Sequence, residues 1–346
     1  MFALPFDETL SDNCFNEMQK ERYEIFKSQD LEKGRFDIVF EIEEKKLHAH
    51  SFVLTSVSEY MHALLSERWT NKDEPVKIGT YSYDNFYQFL CFLYTGKCEV
   101  TNENVFKLVD MAEFFGVSSF KKFCDKVLTY QLCGEYGEEL FTVENVEELT
   151  EFAFKYSLKE FVDSIREYFL NWGGIDEMFK SESFLAFKKP FIEFLVSVGR
   201  KDDKFFEGMY KWSENKVKKQ NDVNDETFNL LEAVKAEMNT ILPQIEFSMM
   251  SFKFMKDFVV EKGFLLSPAE FKQYFKCRQN RCYTESGLVE FIYELAEKQA
   301  LQKQKMAPND ENFNTADSIK ADLSEVLPIV KFHKINQEFL TDFVEQ

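Results

Sequence analysis

The C-terminal third of this 346-residue chain carries one segment written twice. Lys235-Ala236-Glu237-Met238, Ile241-Leu242-Pro243, Phe247, Met250 and Phe254-Met255-Lys256-Asp257-Phe258-Val259 form the first copy. Lys320-Ala321-Asp322-Leu323, Val326-Leu327-Pro328, Phe332, Ile335 and Phe339-Leu340-Thr341-Asp342-Phe343-Val344 form the second. The offset is about 85 residues, the scale of a repeated supersecondary unit. Upstream, Asn224-Asp225-Glu226-Thr227-Phe228-Asn229 is echoed by Asn309-Asp310-Glu311-Asn312-Phe313-Asn314. Each copy reads as a helix, an acidic loop, a helix ending at Leu-Pro, and a further helix. Proline is expected to stop the second helix by clashing with the preceding turn. Stacked helical units of this kind expose an elongated surface suited to binding protein.

Composition agrees with long helices. The chain holds only 12 Gly and 7 Pro, so tight turns are few. Its 40 Phe are read chiefly as core packing. The formal charge of −19 argues against nucleic acid and anionic membrane as partners, because both are recognised through clustered Lys and Arg. Seven Cys follow no framework spacing, and Met1 to Pro5 runs directly into Asp7-Glu8 without a secretory apolar core. Reduced thiols and a cytoplasmic location follow, with entry to the nucleus left open. No apolar run approaches the roughly 20 residues of a membrane span.

The N-terminal part reads differently. Leu10, Cys14, Phe15, Met18, Ile25 and Phe26 fall at helical spacing between Asp7 and Gln29, with nothing local to cover them. From Arg35, Phe36, Ile38, Phe40 and Ile42 alternate with polar neighbours as a half-buried strand does. Glu43 to Lys46 is expected to form the hairpin turn, and Leu47 and Ala49 a second strand. Helices then follow near Phe52 and over 59–66, a short strand over Val76-Lys77-Ile78, and helices over 83–94, 105–115 and 119–132. Gly96 suits a left-handed C-cap and Asn102 an N-cap.

Phe36-Asp37-Ile38-Val39-Phe40, Leu47-His48-Ala49-His50, Val53-Leu54, Ser56, Ser58, Phe89-Leu90, Leu93-Tyr94-Thr95-Gly96, Ala112-Glu113-Phe114-Phe115 and Cys124 occur in the order seen in BTB/POZ domains. Residues 34–132 resemble that family. The stretch from Thr142 to Trp172, with Val146, Leu149, Phe152, Ala153, Tyr156, Leu158 and Phe161, is similar to the helical BACK region that follows BTB in many substrate adaptors. The expected fold is therefore α+β. A short β-sheet flanked by helices is followed by an all-α, BACK-like repeat arm. The expected divisions are a dimerisation helix and lead-in (1–33), the BTB/POZ domain (34–132), a BACK-like domain (133–270) and a second partial repeat (271–346).

The resemblance implies a homodimer in which the N-terminal helix and first strand are exchanged. Leu10, Cys14, Phe15, Met18, Phe36 and Ile38 are the implied interface. It also implies cullin-3 binding through Leu65, Trp69, Phe115 and Val117. In cullin-binding relatives an apolar residue is followed two positions later by Glu. Here Trp69 keeps the apolar anchor and Asn71 replaces the acid. Trp69 is equally open to folding back on its own domain. Ser51 stands where repressor-type relatives carry Lys or Arg opposite the residue equivalent to Asp37.

No catalytic motif is present: no Gly-rich phosphate loop, nucleophile elbow or H-E-x-x-H. His48-Ala49-His50 and the Cys277/Cys282 pair each lack the further ligands that zinc needs, so no metal or cofactor is expected. The expected function is a non-catalytic adaptor, either for a cullin-3 ubiquitin ligase or as a structural scaffold. The arm would take an unknown protein target.

Overall fold

The computed structural model describes residues 8–66, 74–133, 141–171, 174–199, 201–221, 228–279, 284–308 and 312–335. The chain divides into two compact units, Met1–Glu167 and Tyr168–Gln346.

The first unit opens with helix α1 (Glu8–Ser28) and the short α2 (Leu31–Gly34), followed by strands β1 (Ile38–Ile42) and β2 (Lys45–Ala49). Helices α3 (Ser51–Thr55) and α4 (Glu59–Leu64) precede strand β3 (Val76–Lys77). The sheet order is β2-β1-β3, with β1 antiparallel to β2 and parallel to β3. The hairpin turn is tighter than the sequence suggests. Lys45 and Lys46 already pair with Ile42 and Glu41, so only Glu43 and Glu44 turn, at φ 48° and 64°. Two successive left-handed residues match the twist of the flanking strands, which is why a two-residue loop suffices.

Alternation in β1 and β2 buries Phe40, Ile42, Leu47 and Ala49. They face helix α5 (Tyr83–Thr95), whose Phe86 meets Phe40 edge-on at 5.0 Å. Ser82 caps α5 at its start, accepting from the Asn85 N–H at 3.3 Å, and Gly96 ends it at φ 71°. Helix α6 (Val105–Phe114) is preceded by Asn104, not Asn102, as its N-cap. Asn104 Oδ1 accepts from the Thr101 N–H at 2.8 Å, and Thr101 Oγ1 accepts from the Asn104 N–H at 3.3 Å, closing the entry turn.

Helix α7 (Ser118–Cys133) leads to α8 (Val146–Lys155) and α9 (Lys159–Asn171). Two carboxylates tie these to the preceding domain. Asp110 on α6 accepts from the Tyr81 hydroxyl at 3.0 Å and the Tyr156 hydroxyl at 2.5 Å. Asp125 on α7, 8% exposed, accepts from the Glu160 and Phe161 N–H groups at the start of α9, at 3.2 and 2.9 Å. The first turn of a helix has N–H groups without intrahelical partners, and a carboxylate there also meets the positive end of the helix dipole.

The second unit is helical. Its longer helices are α10 (Gly174–Met178), α11 (Lys189–Val198), α12 (Asp203–Gln220), α13 (Leu230–Glu237), α14 (Pro268–Gln279), α15 (Glu285–Met306) and α16 (Thr315–Leu323), and among the described residues short 3₁₀ segments, a helical turn at Phe252–Phe254 and a π-helical stretch at Met255–Val260 lie between them. Met209 and Trp212 of α12 are buried, and the Trp212 indole donates to the Phe187 carbonyl at 2.9 Å.

The repeat is structural as well as textual. Asn229 caps α13 and Asn314 caps α16. Val234, Met238, Ile241, Ile245 and Met250 are buried in the first copy, and Ile319, Leu323, Val326, Val330 and Ile335 at the same places in the second. Each copy also closes its helix end on an acid. Glu237 pairs with Lys216 at 2.8 Å, and Asp322 with Lys303 at 2.7 Å.

One expectation needs correction. Neither proline stops a helix: α13 and α16 have already ended when Pro243 and Pro328 arrive. Both prolines sit at the start of 3₁₀ turns, Leu242–Gln244 and Leu327–Ile329. At that position the N–H that proline lacks would be unpaired anyway. The motif from Phe339 to Val344 lies outside the described residues.

Candidate protein-interaction surface

The orphan helix finds cover within its own chain. Tyr23 and Phe26 of α1 pack on α5, where Phe26 stacks on Tyr94 at 4.4 Å and on Tyr87 at 5.6 Å. Burial, reinforced by a hydrogen bond to Cys91, holds the Tyr23 hydroxyl well above the ordinary phenol pKa. Met18 and Ile25 stay exposed on the same helix. The side chains of Leu10, Cys14 and Phe15 lie outside the described residues.

Phe36 and Ile38 are half-buried. The Phe36 ring rests 5.0 Å from His50 and crosses over Gly34, where an added Cβ would meet the ring at 2.1 Å. Only glycine permits that approach. His50 is fully engaged. Its backbone N–H donates to the Tyr94 hydroxyl at 2.9 Å, that hydroxyl donates to Nδ1 at 2.8 Å, and Nε2–H donates to the Gly34 carbonyl at 2.7 Å. Both ring nitrogens of His50 thus serve the junction between α2, β2 and α5. Ser51 meets Asp37 through its N–H at 2.7 Å and its hydroxyl at 2.5 Å, one bond to each carboxylate oxygen. Asp37 is thus satisfied by the first residue of α3.

Beside this region the structure exposes two apolar residues that sequence reading passed over, Phe52 at 79% and Leu31 at 64%. A signal existed for Phe52. Three consecutive apolar residues, Phe52-Val53-Leu54, cannot all face the core from one short helix.

A second surface lies where α4 meets the end of α6. Leu65, the C-cap of α4, is half-buried. Trp69 and Asn71 lie outside the described residues. Phe115 and Val117 are buried, so neither of these two offers a side chain to a partner. Phe115 instead stacks on Phe89 at 4.9 Å in the core, and the Ser58 hydroxyl donates to its carbonyl. Adjacent residues on a helix point about 100° apart. If Phe115 is inside, Phe114 is outside. Phe114 is 48% exposed and pairs with the exposed Tyr60 at 5.0 Å. Tyr60 and Phe114 are therefore the exposed aromatic groups this end presents.

Among the described residues, no cluster of His, Cys, Asp and Glu is arranged to hold a metal ion. No described helix is long and apolar enough to cross a membrane.

Compared with known families, residues 26–132 match the BTB/POZ domain. This segment is a BTB/POZ domain. Kelch-like protein 24 from human is 26% identical over 183 residues, covering 51% of this chain and 28% of that protein. The rat and mouse proteins of the same name match to the same extent. The match thus spans little more than a quarter of the length of these relatives. Among solved structures, the BTB domain of zebrafish PATZ1 aligns with 24% identity and a TM-score of 0.30, over 36% of this chain and 98% of that one. The matched residues lie within the first unit, which continues through α8 and into α9.

Proposed function

We propose that this chain is a non-catalytic, homodimeric adaptor whose BTB domain recruits a cullin-3 ubiquitin ligase and whose helical arm holds the target. The observation that carries the reading is the exposed Tyr60–Phe114 pair, with Leu65 and Trp69 following Tyr60 in sequence. Exposed aromatic clusters are the usual anchors of protein interfaces. The similarity to Kelch-like protein 24 and the BACK-like pattern after the domain support the same assignment. Pairing of two copies would cover Phe52, Leu31, Met18, Phe36 and Ile38, with the α1 residues Leu10, Cys14 and Phe15. The scattered thiols, four of them unpaired among the described residues, suit a reducing compartment such as the cytoplasm.

The test is a pull-down with the N-terminal region of cullin-3. Wild type binds, and Trp69→Ala and Phe114→Glu do not. Equal binding by all three, or none by wild type, removes the ligase reading.

Asn71 favours a second reading, a BTB-dimer scaffold without ubiquitin transfer. Replacing Glu by Asn forgoes a charge-assisted hydrogen bond of about 1.5–3 kcal/mol. If Asn71→Glu creates cullin binding where wild type has none, the scaffold is the better account.

A further inference from the structure

The two copies of the repeat are alike inside and unlike outside. In the first copy the turn Phe247–Met249 is packed by α14. Arg278 of that helix is buried, lies 4.0 Å over the Tyr274 ring and donates to the Ser248 carbonyl at 2.8 Å and to the Met250 carbonyl. The Tyr274 hydroxyl donates to the Met250 carbonyl at 3.2 Å. Phe206 lies against Phe247 at 5.9 Å. Leu242 and Phe247 are left half-buried.

In the second copy the equivalent Leu327 and Phe332 are 47% and 52% exposed. The change in side chains around them is directional. Glu246, Ser248 and Met249 of the first copy become Lys331, His333 and Lys334. None of these three forms an ion pair with a described residue, in a chain whose formal charge is −19. The nearby acids are already used. Glu325 pairs with Lys272 at 3.0 Å, and Glu285 accepts from the Gln279 side chain and the Lys331 N–H at 2.7 and 2.8 Å.

We propose that the turn formed by Leu327 and Lys331 to Lys334 is a docking seat for an acidic amphipathic helix of a partner protein. In the second copy α15 reaches the equivalent turn and leaves Leu327 and Phe332 exposed. The second copy keeps the apolar anchors and surrounds them with positive charge, which selects carboxylates on the incoming helix. A second copy of α14 is the wrong occupant, since its Lys272, Lys276 and Arg278 outnumber Glu270 and would face three more basic side chains. The inference rests on the reading of the arm as the target-bearing half, and it specifies where and by what chemistry the target is held.

The probe is a display library of randomised 16-residue helical peptides panned against the full chain. Enriched peptides are expected to carry apolar residues at three- and four-residue spacing with Asp and Glu between them. Their affinity is expected to fall at least tenfold for Leu327→Ala/Phe332→Ala and for Lys331→Glu/Lys334→Glu, and to weaken with added salt. Met249→Ala, at the matching exposed place in the first copy, should leave it unchanged. Of these five positions Leu327, Phe332, Lys334 and Met249 are exposed and Lys331 is half-buried, and circular dichroism of each variant checks the fold. Enriched peptides without an acidic bias, equal binding to the variants, or no enrichment overturns the proposal. So does a change in oligomeric state with Phe332→Ala, which would make a second copy the occupant. Dimerisation and cullin binding belong to the first unit and are measured on the same variants, so failure of the seat is separable from failure of the adaptor reading.

Discussion

Removing the Asp125 carboxylate should loosen the helix that follows the BTB domain. Asp125 is buried and accepts two hydrogen bonds, from the Glu160 and Phe161 N–H groups. Asp125→Ala deletes both acceptors and leaves two amides at the start of α9 without a partner. Loss of a capping side chain costs about 0.5–2 kcal/mol. A hydrogen bond to a charged group contributes about 1.5–3 kcal/mol, and two on one carboxylate are not additive. A loss of about 2–4 kcal/mol follows, against about 1 kcal/mol for Asp125→Asn, which keeps one oxygen in place. Native-state hydrogen exchange read by mass spectrometry is the assay, because it reports opening of residues 146–171 separately from the rest. At about 1.36 kcal/mol per factor of ten, Asp125→Ala should speed exchange there roughly 30-fold to several hundredfold, and Asp125→Asn about fivefold. Equal, small effects of both substitutions would refute the assignment of Asp125 as the cap.

Further outcomes follow from other contacts. Phe52→Glu should shift the chain toward monomer in sedimentation while leaving its far-ultraviolet spectrum intact, since Phe52 touches little of its own protomer. His48 sits below its ordinary pKa of 6.5, first through burial and then through the Lys46 charge. The unfolded chain therefore takes up this proton at higher pH than the folded one. The stabilisation is present above about 6.5 and is lost as pH falls through the lower folded value, so His48→Asn should flatten the stability profile between about pH 7 and 5. Burial, followed by the neighbouring Cys91, pushes the Cys98 thiol up to about 12, and burial raises Cys124 further. Neither should be alkylated by iodoacetamide at pH 8 until the chain is unfolded.

Much of the first unit was legible in the sequence because alternation and helical spacing report burial directly. Phe40, Ile42, Leu47 and Ala49 turned inward as their pattern requires, and Gly96 took the left-handed cap. What periodicity does not report is which member of an apolar pair is left outside. Phe114 and Phe115 are chemically identical, and only the packing of Phe115 on Phe89 and Phe86 decides between them. The prolines misled for a different reason. The residue that ends a helix and the residue that opens the next turn can lie several positions apart, and Leu-Pro marks the second. The repeat was plain in sequence. Its consequence, that the Phe247 turn is packed by α14 while Leu327 and Phe332 stand exposed, needed three dimensions.

Sedimentation equilibrium of the purified chain, alone and with the N-terminal region of cullin-3, tests the account most directly. The account predicts a dimer of the 41.0 kDa chain that becomes a dimer carrying two cullin fragments. A strict monomer at micromolar concentration, or a dimer that ignores the cullin, would contradict it, the first striking at the pairing and the second at the ligase.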